Sequence, residues 1–266
     1  MKNIKLIVTD MDGTFLNSKY EISPEFPAVY EELKKRNILF IPASGRQMAG
    51  ITQYFKDIEN EIGFIAENGG YVVYQDQELF ADQLAQETVA EIVRITREIP
   101  GAEIVVSAKQ NAYYESTDDA FVNYFKTYYT ANKKVEDLTA ELNDDVFKIA
   151  IYHADGAEDH VLPHLNSFKN YDLEMVVSGK NWVDLMNKKI SKGHALSIIQ
   201  KKLNILPSET MVFGDYMNDI DMLKNSQFSF AMQNAHPDVK KVANYEAESN
   251  DHFGVVKAIG EVIRSS

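Results

Sequence analysis

Two aspartates two residues apart, Asp10 and Asp12, stand in the stretch Asp10-Met11-Asp12-Gly13-Thr14. The apolar run before them, Ile4 to Val8, reads as a buried strand. Open α/β sheets bind their ligands at the carboxyl ends of strands, which is where the pair falls. In extended backbone, residues i and i+2 share a face, so both carboxylates are expected to point into one crevice. Two carboxylates held together away from water repel unless a cation or a shared proton offsets their charge. The pair therefore signals a metal site, an acid–base pair, or both.

Three more polar clusters recur where strands end or helices begin. Ser44-Gly45-Arg46 follows the apolar run Ile38–Ile41, Lys192-Gly193 opens a helical pattern, and Gly214-Asp215-Tyr216-Met217-Asn218-Asp219 follows Thr210–Phe213. In a parallel sheet such positions converge on one edge. Carboxylate oxygens without thiolate or imidazole favour a hard cation, Mg²⁺ first. The Ser44 hydroxyl, the amides around it and the Lys192 ammonium are donors suited to phosphate.

The elements that must position these clusters alternate between strand and helix. A helix is expected from about Pro24 to Arg36, with Ser23 as its N-cap, and another from Ser44 to about Phe55. Ile62–Ala66 reads as a strand, and Tyr71–Tyr74 with Glu78–Phe80 as a hairpin. The rhythm returns with a helix at Lys192–Leu203, strands at Thr210–Phe213 and Gln227–Ala231, and a last helix at Phe253–Ile263. This is the pattern of a doubly wound parallel sheet, an α/β fold. The middle differs. Helices are expected at Glu87–Ile99, Asp119–Tyr129 and Glu158–Phe168. Strands come in neighbouring pairs at Glu103–Val106, Ala112–Glu115, Val146–Tyr152, Leu173–Val177 and Trp182–Met186. That grouping implies an α+β unit, placed at 83–188 and inserted into a core made of 1–82 and 189–266.

The chain has 266 residues, 45% of them hydrophobic, and a net charge of −13. That charge opposes binding to a phosphate backbone, so nucleic acid is not an expected partner. Cysteine is absent, which removes disulfides and thiolate chemistry and suits a reducing compartment. No apolar run approaches the ~18 residues that a membrane helix needs, so the expectation is a cytoplasmic protein away from membranes. The six histidines are scattered, and only His160 and His164 share a helix face, so none is read as a metal ligand.

The four clusters in this order resemble the four motifs of the haloacid dehalogenase (HAD) superfamily of phosphotransferases. The long insert, Glu67-Asn68-Gly69-Gly70 and Phe228-Ser229-Phe230-Ala231-Met232 resemble its Cof-type branch (class IIB), particularly the bacterial sugar phosphatases. The resemblance implies a Rossmann-like HAD core with an α+β cap and a Mg²⁺-dependent phosphatase acting on small phosphorylated metabolites. Asp10 would be the nucleophile that forms an aspartyl-phosphate. Asp12 would be the acid and then the base, a role that calls for a secluded carboxyl. Asp10, the Asp12 backbone carbonyl and Asp215 would hold the metal. Ser44, Gly45, Lys192 and Asn218 would hold phosphate, Asp219 would orient Lys192 or metal-bound waters, and Thr14 would fix the turn and the Asp10 side chain.

Substrate choice is expected from the inserted unit, with Asn181, Trp182 and Asp184 as candidates beside Arg46 and Asn68 in the core segment. The aromatic group Tyr113, Tyr114, Phe121, Tyr124, Phe125, Tyr128 and Tyr129 is read as packing of the insert rather than a base-stacking surface. Tyr216-Met217 is bulkier than the small residues often found in that motif. Rival readings are a sugar phosphomutase with the same aspartyl-phosphate, a phospho-acceptor module, or a binding protein without turnover.

Overall fold

In the computed structural model, which describes residues 3–165, 172–178 and 180–265, the first apolar run becomes β1 (Leu6–Asp10), buried along its whole length. β1 lies between β2 (Leu39–Ala43) and β12 (Thr210–Gly214), parallel to both. The sheet continues from β2 through β3 (Gly63–Ala66), β4 (Tyr71–Tyr74) and β5 (Gln77–Ala81). On the other side it continues from β12 to β13 (Phe228–Met232) and β14 (Tyr245–Ala247). Every pair from β14 to β3 is parallel, and β4 runs antiparallel to β3. Two halves thus wind outward from β1, and the strand order reverses there, where a ligand crevice forms in such sheets.

The helices of this unit carry the marks that begin and end helices. In α6 (Lys192–Leu203), the Ser191 hydroxyl accepts from the His194 amide at 3.1 Å, and Asn204 closes the helix in a left-handed conformation. Helix α1 (Phe26–Lys35) starts two residues later than the sequence suggests. Ser23 caps the preceding turn instead, accepting from the Glu25 amide at 3.2 Å. Helix α2 covers only Met48–Thr52, well short of Phe55. Phe15, Phe26, Phe40 and Phe55 pack ring to ring beneath the turn that follows β1. Three elements escaped the sequence reading here: α7 (Ile220–Lys224), α8 (Pro237–Val242) and the three-residue β14.

The chain divides into two units, one of Met1–Gly45, Ile51–Phe80 and Ser191–Ser266, the other of Arg46–Gly50 and Ala81–Ile190. The second has its own sheet, ordered β10 (Leu173–Val177), β11 (Trp182–Asn187), β9 (Val146–His153), β6 (Ala102–Ala108), β7 (Ala112–Tyr114), β8 (Asn132–Lys134). Its pairs are antiparallel except β7 with β8, which are parallel. Strand alternation sends Ile149 and Ile151 to one face, against Val89, Ile92 and Val93 of α3 (Gln86–Arg97). Ala150 and Tyr152 go to the other, against Phe121 and Phe125 of α4 (Asp119–Phe125). Asp118 caps α4 by accepting from the Ala120 amide at 2.8 Å. The helix expected over Glu158–Phe168 is shorter. α5 covers Ala157–His160, and Asn166 to Phe168 lie outside the described residues.

Candidate active site

Asp10 is the last residue of β1, not a residue beyond it, and its side chain is buried at the sheet's carboxyl edge. Asp12 is not buried with it. The chain leaves the strand at Met11, turns through Gly13 at φ +79°, and leaves Asp12 exposed. The two carboxylates therefore differ in burial, Asp10 enclosed and Asp12 open to solvent, because the backbone does not stay extended past Asp10. The Gly13 turn is shaped by its neighbour: a β-carbon there would stand 2.5 Å from Oδ2 of Asp215. Only glycine accepts both that contact and the positive φ.

Lys192, first residue of α6, is completely buried. Its ammonium donates to Oδ1 of Asp10 and, at 2.8 Å, to Oδ1 of Asp219. Burial alone would lower the lysine's pKa, but attraction to Asp10 and then Asp219 outweighs it and the net displacement is upward. Lys192 is therefore a fixed cation. Asp10 is displaced upward by burial, with repulsion from Asp219, Asp215 and Asp12 adding to it and Lys192 opposing.

Asp219 is the organiser of the loop after β12. Besides Lys192, it accepts through Oδ2 from the Asp215 amide at 2.9 Å and the Tyr216 amide at 3.1 Å. Both of its oxygens are committed. Asp215 is half-buried, and burial followed by repulsion from Asp219 pushes its carboxyl up to about 6. Thr14, expected from the sequence to fix the turn and the Asp10 side chain, donates its hydroxyl to Oδ1 of Asp215 at 2.7 Å and so serves the last motif.

Carboxylate oxygens of Asp10, Asp215 and Asp219 all lie within 4.8 Å of one another. Three anionic oxygens this close, two on carboxyls pushed toward protonation, suit a small hard cation. Both oxygens of Asp219 are taken by Lys192 and two amides, whereas Asp10 and Asp215 are engaged at Oδ1, by Lys192 and Thr14 respectively, so these two are the side chains that could hold it.

Ser44 follows β2 directly and is buried. Its amide donates to Ile65 O at 2.8 Å, and its carbonyl accepts from the Asn68 amide at 3.0 Å. Asn68 itself is buried, and Asn218, exposed on the last motif, donates from Nδ2 to its Oδ1 at 3.1 Å. Asn68 thus joins the second and fourth motifs, although its place after a strand and before two glycines also suits a plain hairpin turn. Sequence reasoning missed Asn234. Its Nδ2 donates to Gly13 O at 2.8 Å, pinning the turn that follows the two aspartates. Its position just after β13 is the signal that could have found it.

The remaining candidates belong to the second unit's own packing. Asn181 donates to the carbonyls of His153 at 2.8 Å and Ala154 at 2.7 Å. Trp182 packs among Phe121, Tyr124 and Tyr152. Asp184 is buried against Lys148 at 3.4 Å. Arg46 is half-buried in the segment that groups with this unit.

A buried aspartate at a strand end, a buried lysine and an acidic loop at the reversal point of a doubly wound sheet define a class, and comparison with known proteins agrees. Residues 7–259 match the family model of haloacid dehalogenase-like hydrolases. The chain is 36% identical over 264 residues to the Escherichia coli (strain K12) protein YbjI, named 5-amino-6-(5-phospho-D-ribitylamino)uracil phosphatase, covering 98% of this chain and 97% of that one. The crystal structure of SMU.1108c from Streptococcus mutans UA159 superposes with a TM-score of 0.89 at 30% identity, covering 98% of this chain and 99% of that one. The HAD subclass IIB sugar phosphatase BT4131 shares the fold, with a TM-score of 0.81 at 22% identity over 97% of this chain and 98% of its own. The chain belongs to the haloacid dehalogenase-like hydrolases, in the Cof-type branch. Within that family it is an enzyme of the phosphatase class.

Proposed function

We propose that this chain is a Mg²⁺-dependent phosphomonoesterase acting on small phosphorylated metabolites, sugar and sugar-alcohol phosphates first, through an aspartyl-phosphate. The observation that supports it most is Lys192, fully buried and shared between Asp10 and Asp219, with Asp215 completing the oxygen cluster. The resemblance of this chain to a relative named for a ribityl phosphate favours a polyol carrying the phosphate.

In this reading an Asp10 oxygen attacks phosphorus, and the bond to the leaving oxygen breaks as the new one forms. Asp12 gives its proton to the departing alkoxide, then takes one from the water that cleaves the acyl phosphate. Lys192, held as a cation, neutralises charge gathering on the phosphoryl oxygens. Ser44, the Gly45 amide and Asn218 donate to the same oxygens, and Asn68 stands beside them. Asp219 keeps Lys192 aimed. Asp10, Asp215 and the Asp12 carbonyl would hold Mg²⁺, which supplies Lewis-acid charge compensation when bound. The 83–188 unit would act as the cap that selects the leaving group, through Asn181, Trp182 or Asp184, with Arg46 as a further candidate outside it. We place the enzyme in the cytoplasm because a chain without cysteine suits a reducing compartment.

A panel of phosphate esters, including ribityl and hexose phosphates, assayed for released phosphate with Mg²⁺ and with EDTA, tests the reading. Mg²⁺-dependent release from polyol phosphates is the expected result. No release from any ester would refute it, and isomerised product without free phosphate would favour the mutase.

A further inference from the structure

Three consecutive residues, Glu67, Asn68 and Gly69, hold positive φ angles of 52°, 54° and 105°. Two of them carry side chains, and a left-handed conformation there persists only where the surroundings impose it. The surroundings are the site itself. The Asn68 amide donates to the carbonyl of Ser44 at 3.0 Å. A β-carbon on Gly69 would collide with the carbonyl of Ser191, so this turn seats itself against the residue that precedes Lys192. A β-carbon on Gly45 would lie 2.9 Å from Oδ1 of Asn68, so the asparagine presses on the residue after Ser44. The turn at 67–69 therefore touches the second and third motifs through its backbone and the fourth through one side chain.

We propose that Asn68 is a positioning residue for Asn218, an inference that rests on the phosphatase reading above. Asn218 is exposed, and the terminal torsion of an asparagine is broad when nothing holds it. Its Nδ2 carries two hydrogens, and one goes to Oδ1 of Asn68 at 3.1 Å. Because the amide is planar, fixing one N–H fixes the direction of the other, which is then available to a phosphate oxygen. Asn68 can serve as the fixed end because it is buried, its backbone is locked by Ser44, and asparagine tolerates a left-handed φ better than other side chains. The strain of the turn is thus spent on holding one donor still at the phosphate.

The test is a double-mutant cycle in the full-length enzyme with Mg²⁺, using Asn68→Gly, Asn218→Ala and the pair. Glycine accepts the positive φ, so Asn68→Gly is expected to melt no lower than the parent. On a hydrolysed polyol phosphate its kcat/KM is expected to fall about tenfold, and the inhibition constant for inorganic phosphate to rise by a similar factor, as for a lost polar contact. In the Asn218→Ala background the same change should cost less than about twofold, because the group it positions is gone. Equal losses in both backgrounds, or no loss in the parent, would overturn the inference and leave the phosphatase reading standing. An enzyme that hydrolyses no phosphate ester would instead remove the reading beneath both.

Discussion

The Thr14 hydroxyl donates to Oδ1 of Asp215 at 2.7 Å, joining the turn after β1 to the turn after β12. This bond favours the charged carboxylate that a cation would need, against burial and the repulsion of Asp219. Replacing Thr14 with valine keeps the shape and removes the donor. Thr14→Val is expected to weaken Mg²⁺ activation about tenfold, read as the Mg²⁺ concentration for half-maximal rate, while the rate at saturating Mg²⁺ changes little. A loss that persists at saturating Mg²⁺ would show that the bond does more than hold Asp215.

Asp10→Asn keeps the size of the side chain and removes the attacking anion. It is expected to lower kcat on the order of a thousandfold or more while the protein stays folded by circular dichroism. Near-parental turnover would end the assignment of Asp10 as nucleophile. Asp12→Asn is expected to slow turnover and to leave trapped phosphoenzyme, seen as added phosphate mass on the intact protein. Full-speed hydrolysis of alkyl phosphates by that variant would remove Asp12 from acid–base work.

Lys192 has no exposure, and its two partners are themselves buried. Removing one member of a buried ionic group strands the others, at a cost of about 3–5 kcal/mol. Lys192→Met should therefore lower the urea midpoint markedly in metal-free protein, and Lys192→Met with Asp219→Asn should recover part of the loss. A variant as stable as the parent would show that Asp10 and Asp219 simply take up protons.

Asp215 also links stability to pH. In the metal-free fold its carboxyl holds a proton up to about 6, whereas an unfolded aspartate releases its own near 3.8. Between these values the folded state binds more protons than the unfolded one, so stability declines as pH rises through that window. A cation takes the proton's place at higher pH. Melting temperatures with EDTA should thus fall from about pH 4.5 to about pH 7, and the gain on adding Mg²⁺ should be larger at the upper pH. A gain independent of pH would place the ion elsewhere.

Much of the site was legible because strand ends are marked by abrupt changes of residue type. Asp10, Ser44 and Asp215 each terminate or follow an apolar run, and the sheet brings those ends together. The helix expected from about Lys192 to Leu203 was legible, and the structure shows Ser191 and Asn204 capping its two ends. What escaped depends on tertiary contact. The strand Tyr245–Ala247 is three residues long and exists by pairing with β13. The turn after Asp12 is tied down at Gly13 by Asn234, far along the chain. No local pattern announces that Asn218 would find Asn68, 150 residues away.

The pairing of β1 with β12 has a consequence for how the protein is made. Leu6 pairs with Thr210 and Thr9 with Phe213, so the strand bearing Asp10 waits for one just over two hundred residues later in synthesis. Until Lys192 and the loop at Asp215 have left the ribosome, the growing polypeptide carries an aspartate with neither its lysine nor its oxygen partner. Contacts of such separation form late. Asp10 therefore gains these partners only after β12 has been made and has paired with β1.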